Sequence, residues 1–129
     1  MKHLNVVAAV IKKGEEFLCV QRGETRYEYT SFKWEFPGGK VENGETEEQA
    51  LVREIREEMN YNIEVCNHII TVDYQYPDFS ISLSAYLCKP LQDNFNLNEH
   101  IAFKWLHKND LNSLDWAAAD LRIIERIAK

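Results

Sequence analysis

The sequence predicts a mixed α/β domain in which one β-sheet is flanked by two helices. Short segments rich in Val, Ile and Phe, separated by turn residues, indicate strands. A capping-box pattern near Thr46 opens an amphipathic helix, and residues 116–128 have the apolar spacing of a second one. Because 129 residues fit one domain comfortably, we expect a single domain over residues 1–129.

The N-terminal part predicts a hairpin followed by a loop and a short strand. The predicted elements are, in order, a strand at 4–11, a turn at 13–15, a strand at 17–21, a polar loop at 23–33 and a short strand at 34–36. We expect Pro37, Gly38 and Gly39 to end that last strand, since proline lacks an N–H and glycine admits unusual backbone angles.

The first helix is expected to run from Thr46 to about Met59, with Asn60 as a left-handed stop. Gln49 lies three residues after Thr46 and completes the capping box. The remaining predicted elements are strands at 63–76 and 79–88 around a turn at 76–78, a strand at 101–106 and a closing helix at 116–128.

Composition excludes several classes of protein. The net charge of −6 argues against a general nucleic-acid-binding surface, which needs clustered Lys and Arg. The apolar run near the N-terminus is too short for a membrane helix, so a cytoplasmic protein without membrane contact is expected. Cys19, Cys66 and Cys88 are predicted to be reduced, packed thiols, and the four histidines share no metal-binding spacing.

The first helix concentrates acidic residues on one face. Glu54, Glu57 and Glu58 follow the i, i+3, i+4 spacing, beside the apolar stripe that would dock on the sheet. Clustered carboxylates are the ligands preferred by Mg²⁺ or Mn²⁺, which keep waters that a phosphate replaces. The alternative is a solvated acidic helix in which Arg53 and Arg56 neutralise the glutamates.

The spacing of these residues resembles the Nudix box, which reads Gly, five residues, Glu, seven residues, Arg-Glu, an aliphatic residue, any residue, Glu-Glu, any residue, Gly, aliphatic. The matching residues are Gly39, Glu45, Arg53, Glu54, Ile55, Glu57 and Glu58. The sequence departs at Asn60 and Tyr61, where the family has Gly and an aliphatic residue. Asn tolerates a positive φ, so we expect the turn to survive. The segment at 33–40 further resembles the MutT-like branch.

The resemblance implies a Nudix fold, an α/β/α sandwich with a mixed sheet. It implies a nucleoside triphosphate pyrophosphohydrolase that releases pyrophosphate from 8-oxo-dGTP or from a CTP/dCTP-type substrate. The implied metal ligands for Mg²⁺, or Mn²⁺, are Gly38 through its carbonyl, Glu54, Glu57, Glu58 and Glu99. The implied catalytic residues are Glu54 or Glu99 as general base and Arg53 orienting Glu54; the implied substrate contacts are Arg22 to a phosphate and Phe79 and Asp120 to the base.

Several alternatives stay open from the sequence. Glu45 fits structural support of the loop at least as well as a metal role. Asp120 could instead cap the last helix or face water, and Phe79 could pack in the core. A Nudix enzyme for ADP-ribose or dinucleoside polyphosphates is a second function, and a non-catalytic nucleotide sensor a third. The expected partner is a small-molecule nucleotide, or a sugar for the sensor, and the protein is expected to be a monomer or homodimer.

Overall fold

The computed structural model describes residues 1–128. Its elements, in chain order, are β1 (Lys2–Lys13), β2 (Glu16–Arg22), β3 (Trp34–Glu35), β4 (Gly38–Lys40), α1 (Glu47–Met59), β5 (Ile63–Gln75), β6 (Phe79–Pro90), β7 (His100–His107), a 3₁₀ helix (Lys108–Ser113) and α2 (Ala118–Ile127). None of the helices in this part of the chain is long and apolar enough to cross a membrane.

Seven strands in residues 1–128 form one mixed sheet, which confirms the predicted α/β class. The central order is β3-β2-β1-β6-β5; β4 also pairs with β1, and β7 pairs with β2. Only the pairing of β1 with β6 is parallel, whereas the other strand pairs of residues 1–128 are antiparallel. The predicted hairpin of β1 and β2 is present, with Lys13 opposite Glu16.

The two helices cover opposite faces of the sheet because β1 alternates between them. Val7, Ala9 and Ile11 belong to the core that includes the buried stripe of α1, whereas Ala8 and Val10 belong to the core that includes α2. This is the three-layered α/β/α arrangement that the sequence predicts.

The ends of α1 are formed as the sequence predicts. The Thr46 hydroxyl accepts a hydrogen bond from the Gln49 backbone N–H at 3.1 Å, and the Gln49 side chain accepts one from the Thr46 N–H at 2.9 Å. Asn60 has φ 49° and ψ 44°, and its N–H donates to the Arg56 carbonyl at 2.9 Å. The left-handed stop is therefore confirmed even though glycine is absent from this position.

Two sequence predictions are wrong, and one strand was not predicted. The short strand does end before Pro37, as expected, but Gly38 and Gly39 then begin β4, which pairs with β1 because the glycines allow close backbone approach. The closing helix begins at Ala118 rather than Trp116, since Trp116 forms a parallel bridge with Trp34. Cys66 is exposed rather than packed, because it lies at an irregularity in the pairing of β5 with β6.

Candidate active site

A pocket of about 790 Å³ lies where α1, β4, the start of β7 and the start of α2 meet. Two groups of residues, one acidic and one apolar, make up much of its lining. The acidic cluster consists of Glu54, Glu58 and Glu99, and the apolar wall consists of Leu4, Val6, Phe79, Ile81 and Leu83. Arg22, Glu35, Gly38, Gly39, Tyr76 and Asp120 complete the lining that the chemistry depends on.

Arg53 ties α1 to the loop that precedes it. Its Nε and Nη2 donate to the two oxygens of Glu45 at 2.6 and 3.0 Å, which is a bidentate ion pair. Its Nη1 donates to Glu54 at 3.0 Å and to Glu57 at 3.1 Å, and Nη2 also donates to the Lys40 carbonyl at 3.1 Å. Arg53 therefore holds the Glu54 carboxylate, and Glu45 has the structural role that was one of its two predicted roles.

Glycine is required where β4 passes the Glu54 carboxylate. A Cβ atom on Gly39 would overlap the carboxyl group of Glu54, and a Cβ atom on Gly38 would overlap the backbone carbonyl of Val7. Neither group can move away easily. The Glu54 carboxylate is hydrogen-bonded to Arg53, and the Val7 backbone is paired with β6. The two glycines thus bring the backbone and the acidic cluster into contact.

Glu58 and Glu99 face one another inside the pocket. Burial, a hydrogen bond with Glu99 and the negative charges of Glu99, Glu54 and Glu35 together raise the pKa of Glu58 to about 9. The Glu58 Oε2 atom is buried and has no hydrogen-bond partner among residues 1–128. A carboxyl group whose pKa is raised in this way keeps its proton unless a neighbouring cation favours the ionised form.

The residues of the acidic cluster fit a divalent cation by their chemistry. They offer carboxylate oxygens beside the Gly38 carbonyl, the donor set that hard cations prefer. No three histidine, cysteine, aspartate or glutamate side chains in residues 1–128 are already gathered as a ligand set. Glu57 has an exposed side chain bonded to Arg53 and does not line the pocket.

Glu35 lies between two cationic or donor side chains. Its Oε1 accepts from Arg22 Nε at 3.1 Å and pairs with Nη2 at 3.0 Å, while Oε2 bonds His100 Nε2 at 2.9 Å. Burial alone would raise the pKa of Glu35, but the His100 hydrogen bond and the Arg22 charge lower it below its usual value. Arg22 was predicted to meet a substrate phosphate; it lines the pocket with its guanidinium anchored on Glu35.

Asp120 is buried next to the apolar wall. Its Oδ2 accepts a hydrogen bond from the Phe36 backbone N–H at 2.9 Å, so it neither caps α2 nor faces water. Burial and the nearby Glu35 charge raise the pKa of Asp120 to about 8. The Tyr76 hydroxyl lies close by, where it accepts from the Ala119 N–H at 3.2 Å. A carboxyl group with a raised pKa and a phenol therefore flank the same end of the pocket.

Phe79 is part of an aromatic stack at the edge of the pocket. Its ring centroid lies 5.0 Å from that of Tyr76 and 5.7 Å from that of Tyr27. Tyr29 stacks on Tyr76 at 5.6 Å and donates to Asp78 at 2.7 Å. Phe79 thus both packs against its neighbours and contributes to the pocket lining, so the two predicted roles do not exclude each other.

The structure brings most of the predicted site residues together. Those that line the pocket are Arg22, Gly38, Glu54, Glu58, Phe79, Glu99 and Asp120, whereas Arg53 and Glu57 stand outside the lining. Sequence reasoning missed Glu35, Tyr76 and His100. The signal for Glu35 was a charged residue between two large aromatic residues, Trp34 and Phe36, both of which are buried.

The fold is a mixed α/β sandwich whose pocket places carboxyl groups beside an apolar wall. The model of the NUDIX domain matches residues 1–127. The chain therefore belongs to the Nudix family, as its sequence predicts.

Relatives of known name agree with the predicted MutT-like branch. The chain is 32% identical over 125 residues to the CTP pyrophosphohydrolase of Escherichia coli K12, covering 97% of this chain and 91% of that protein. It is 29% identical over 129 residues to the 8-oxo-dGTP diphosphatase of the same organism, covering 100% and 99%. A solution structure of MutT, a Nudix hydrolase from methicillin-resistant Staphylococcus aureus 252, superposes with a TM-score of 0.77 at 41% identity, covering 98% and 97%.

Proposed function

We propose that this protein hydrolyses (deoxy)nucleoside triphosphates, normal or oxidised, to the nucleoside monophosphate and pyrophosphate, with Mg²⁺ or Mn²⁺ as cofactor. The observation that carries the proposal is that one pocket joins the acidic cluster to the apolar wall. A cation-binding end suits a polyphosphate, and an apolar end with an aromatic ring suits a base. The pocket volume lies in the range of small-molecule sites.

The residues proposed to hold the cation are Glu54, Glu58, Glu99 and the Gly38 carbonyl. Glu57 is a candidate from the same helix face, but it would first have to leave Arg53. When bound, the cation neutralises phosphate charge and makes a bound water more acidic. The Glu58 Oε2 atom supports this assignment, because it is a buried carboxyl oxygen with no hydrogen-bond partner in residues 1–128.

Residues of the chain accept the proton, orient the proton acceptor and contact the phosphate during hydrolysis. Water adds across one phosphoanhydride bond: its oxygen forms the new bond to phosphorus, one proton passes to a carboxylate, and pyrophosphate leaves. Glu54 or Glu99 accepts that proton. Arg53 keeps Glu54 in one orientation, and Arg22 offers guanidinium donors to a phosphate oxygen while Glu35 fixes its direction.

The base is proposed to bind between the apolar wall and Asp120. Phe79 stacks on the base, and Asp120 bonds one polar group of its edge. A protonated Asp120 donates and an ionised one accepts, so the group suits either a carbonyl or an exocyclic amine. The relatives named for CTP and for 8-oxo-dGTP make cytidine and 8-oxoguanine triphosphates the first substrates to test.

A pyrophosphate-release panel tests the proposal. It should cover normal and oxidised nucleoside triphosphates, ADP-ribose and dinucleoside polyphosphates, each with Mg²⁺. We expect triphosphates to be preferred and Glu58→Gln to lose more than about 100-fold in kcat/KM, since even outer partners of a metal ligand cost 10–100-fold. Glu48→Gln is the matched control, because Glu48 lies on the same helix, is exposed and does not line the pocket.

Two results would replace the proposal. Faster turnover of ADP-ribose or a dinucleoside polyphosphate would assign the second function. Nucleotide binding without turnover of any substrate would assign a non-catalytic sensor.

A further inference from the structure

An irregularity in strand pairing sets the start of β7. The antiparallel register of β2 with β7 is regular as far as Gln21 opposite Ala102, but Arg22 then lies opposite His100. Ile101 is the extra residue and is 57% exposed, whereas the His100 side chain is only 6% exposed. A bulge changes the direction in which side chains point along a strand. This bulge turns His100 into the pocket.

Glu35 holds His100 in that position. The His100 Nε2 atom bonds Glu35 Oε2 at 2.9 Å, while the other Glu35 oxygen is occupied by Arg22. The second ring nitrogen of His100, Nδ1, is buried and has no hydrogen-bond partner in residues 1–128. The bond to Glu35 is therefore the only one that orients the imidazole within the described chain.

The residue before His100 is Glu99, and it is anchored from both sides. On the preceding side, the Asn98 N–H donates to the Glu58 carbonyl at 3.2 Å and the Asn96 N–H to the Met59 carbonyl at 2.8 Å, which fixes the loop to the end of α1. On the following side, one peptide links Glu99 to His100 and hence to Glu35. Between the anchors, the Glu99 carboxylate faces Glu58.

We propose that Glu35 is a positioning residue that acts through His100: their hydrogen bond places the Glu99 carboxylate beside that of Glu58. This inference rests on the proposed function, in which Glu99 is one of the residues that hold the cation. Residues that orient a metal ligand without contacting the metal contribute strongly to metal affinity, because a carboxylate that points elsewhere cannot coordinate the ion. Glu35 orients His100 although the two residues are 65 positions apart in the chain.

The test measures Mn²⁺ affinity without nucleotide, from the electron paramagnetic resonance signal of free Mn²⁺. We expect His100→Leu to weaken Mn²⁺ binding about 10-fold and to raise KM less than it lowers kcat. His100→Gln should recover much of the affinity, because its amide N–H can still donate to Glu35. His107→Leu is the matched control, since His107 lies at the other end of β7 and does not line the pocket.

A double-mutant comparison decides between positioning and a general structural effect. In a Glu99→Gln background, His100→Leu should change Mn²⁺ affinity little further, because the group it positions is already altered. The proposal is overturned if His100→Leu weakens Mn²⁺ binding equally in the wild-type and Glu99→Gln backgrounds. It is also overturned if His100→Leu or Glu99→Gln alone leaves the Mn²⁺ affinity unchanged. Thermal unfolding checks that each variant folds; should His100→Leu not fold, Glu35→Gln keeps the side-chain volume and must show the same non-additivity.

Failure of the proposed function would be seen separately. It would appear as a wild-type protein that releases pyrophosphate from no triphosphate. The Mn²⁺ comparison uses no turnover, so it tests the positioning role on its own.

Discussion

Replacing Tyr61 by phenylalanine is expected to stabilise the protein. Tyr61 follows the left-handed stop of α1, its ring is fully buried, and it packs against Phe95 at a centroid distance of 5.0 Å. Its hydroxyl oxygen is buried without a hydrogen-bond partner in residues 1–128. Burial, and secondarily the charge of Asp93, raise the pKa of Tyr61, so the hydroxyl stays neutral but unsatisfied.

The magnitude follows from removing that hydroxyl alone. A buried polar group without a partner costs about 1–3 kcal/mol, and Tyr61→Phe removes the cost while the ring keeps its contacts. Taking the lower end, we expect the free energy of unfolding to rise by about 1 kcal/mol. For a chain of this length that corresponds to a Tm increase of about 4 °C.

Urea and thermal unfolding of the metal-free protein measure the effect. Tyr86→Phe is the matched control: Tyr86 is also buried, but its hydroxyl donates to Glu47 at 2.7 Å, so the same change should lower stability by about 1 kcal/mol. The reasoning is refuted if Tyr61→Phe leaves the Tm unchanged or lowers it, because the hydroxyl would then have a favourable partner.

Three further changes test the site and its supports. Gly39→Ala should lower kcat for pyrophosphate release by about 10-fold or more, since the added methyl displaces Glu54 and small misplacements are costly; unchanged kcat would show that Glu54 tolerates displacement. Asn60→Ala should destabilise the protein by about 1 kcal/mol in urea unfolding, whereas Asn60→Gly should not, because only alanine resists a φ of 49°. Asp120→Asn should change the pH dependence of stability. The folded-state pKa of Asp120, about 8, lies above its unfolded value, so the stability it contributes is complete below pH 4 and is lost as pH rises through 8. Unfolding at pH 5 and pH 8 should therefore show a smaller decline for Asp120→Asn than for the wild type, and equal declines would contradict the argument.

The parts of the fold that the sequence predicts are those specified by neighbouring residues. The helix α1 is one case, because Thr46 and Gln49 satisfy each other's backbone groups three residues apart. Asn60 is another, since its tolerance of a positive φ depends on its own side chain. The i, i+3, i+4 spacing likewise places Glu54 and Glu58 on one helix face, and both line the pocket.

The parts that the sequence does not predict depend on distant partners. Gly38 extends the sheet only because β1 offers an edge for it, and nothing local in the Pro-Gly-Gly run indicates that edge. Trp116 is held out of α2 by its bridge to Trp34. The contact of Glu35 with His100 needs both the fold of β2 against β7 and the bulge at Ile101, which no spacing within either segment encodes.

Charge compensation separates Glu58 and Glu99 from Glu35, Glu45 and Glu54. Arg53 pairs with Glu45 and Glu54, and Arg22 pairs with Glu35, so the charges of these three glutamates are neutralised within the chain. Glu58 and Glu99 pair with no lysine or arginine in residues 1–128, yet they face each other in the pocket. Ionising both carboxyl groups out of water is unfavourable, which is why the pKa of Glu58 is raised to about 9. In the proposed function a divalent cation compensates their charge, and the same ion allows a polyphosphate to approach the carboxylates. The raised pKa of Glu58 and the proposed binding of substrate are thus two consequences of one arrangement.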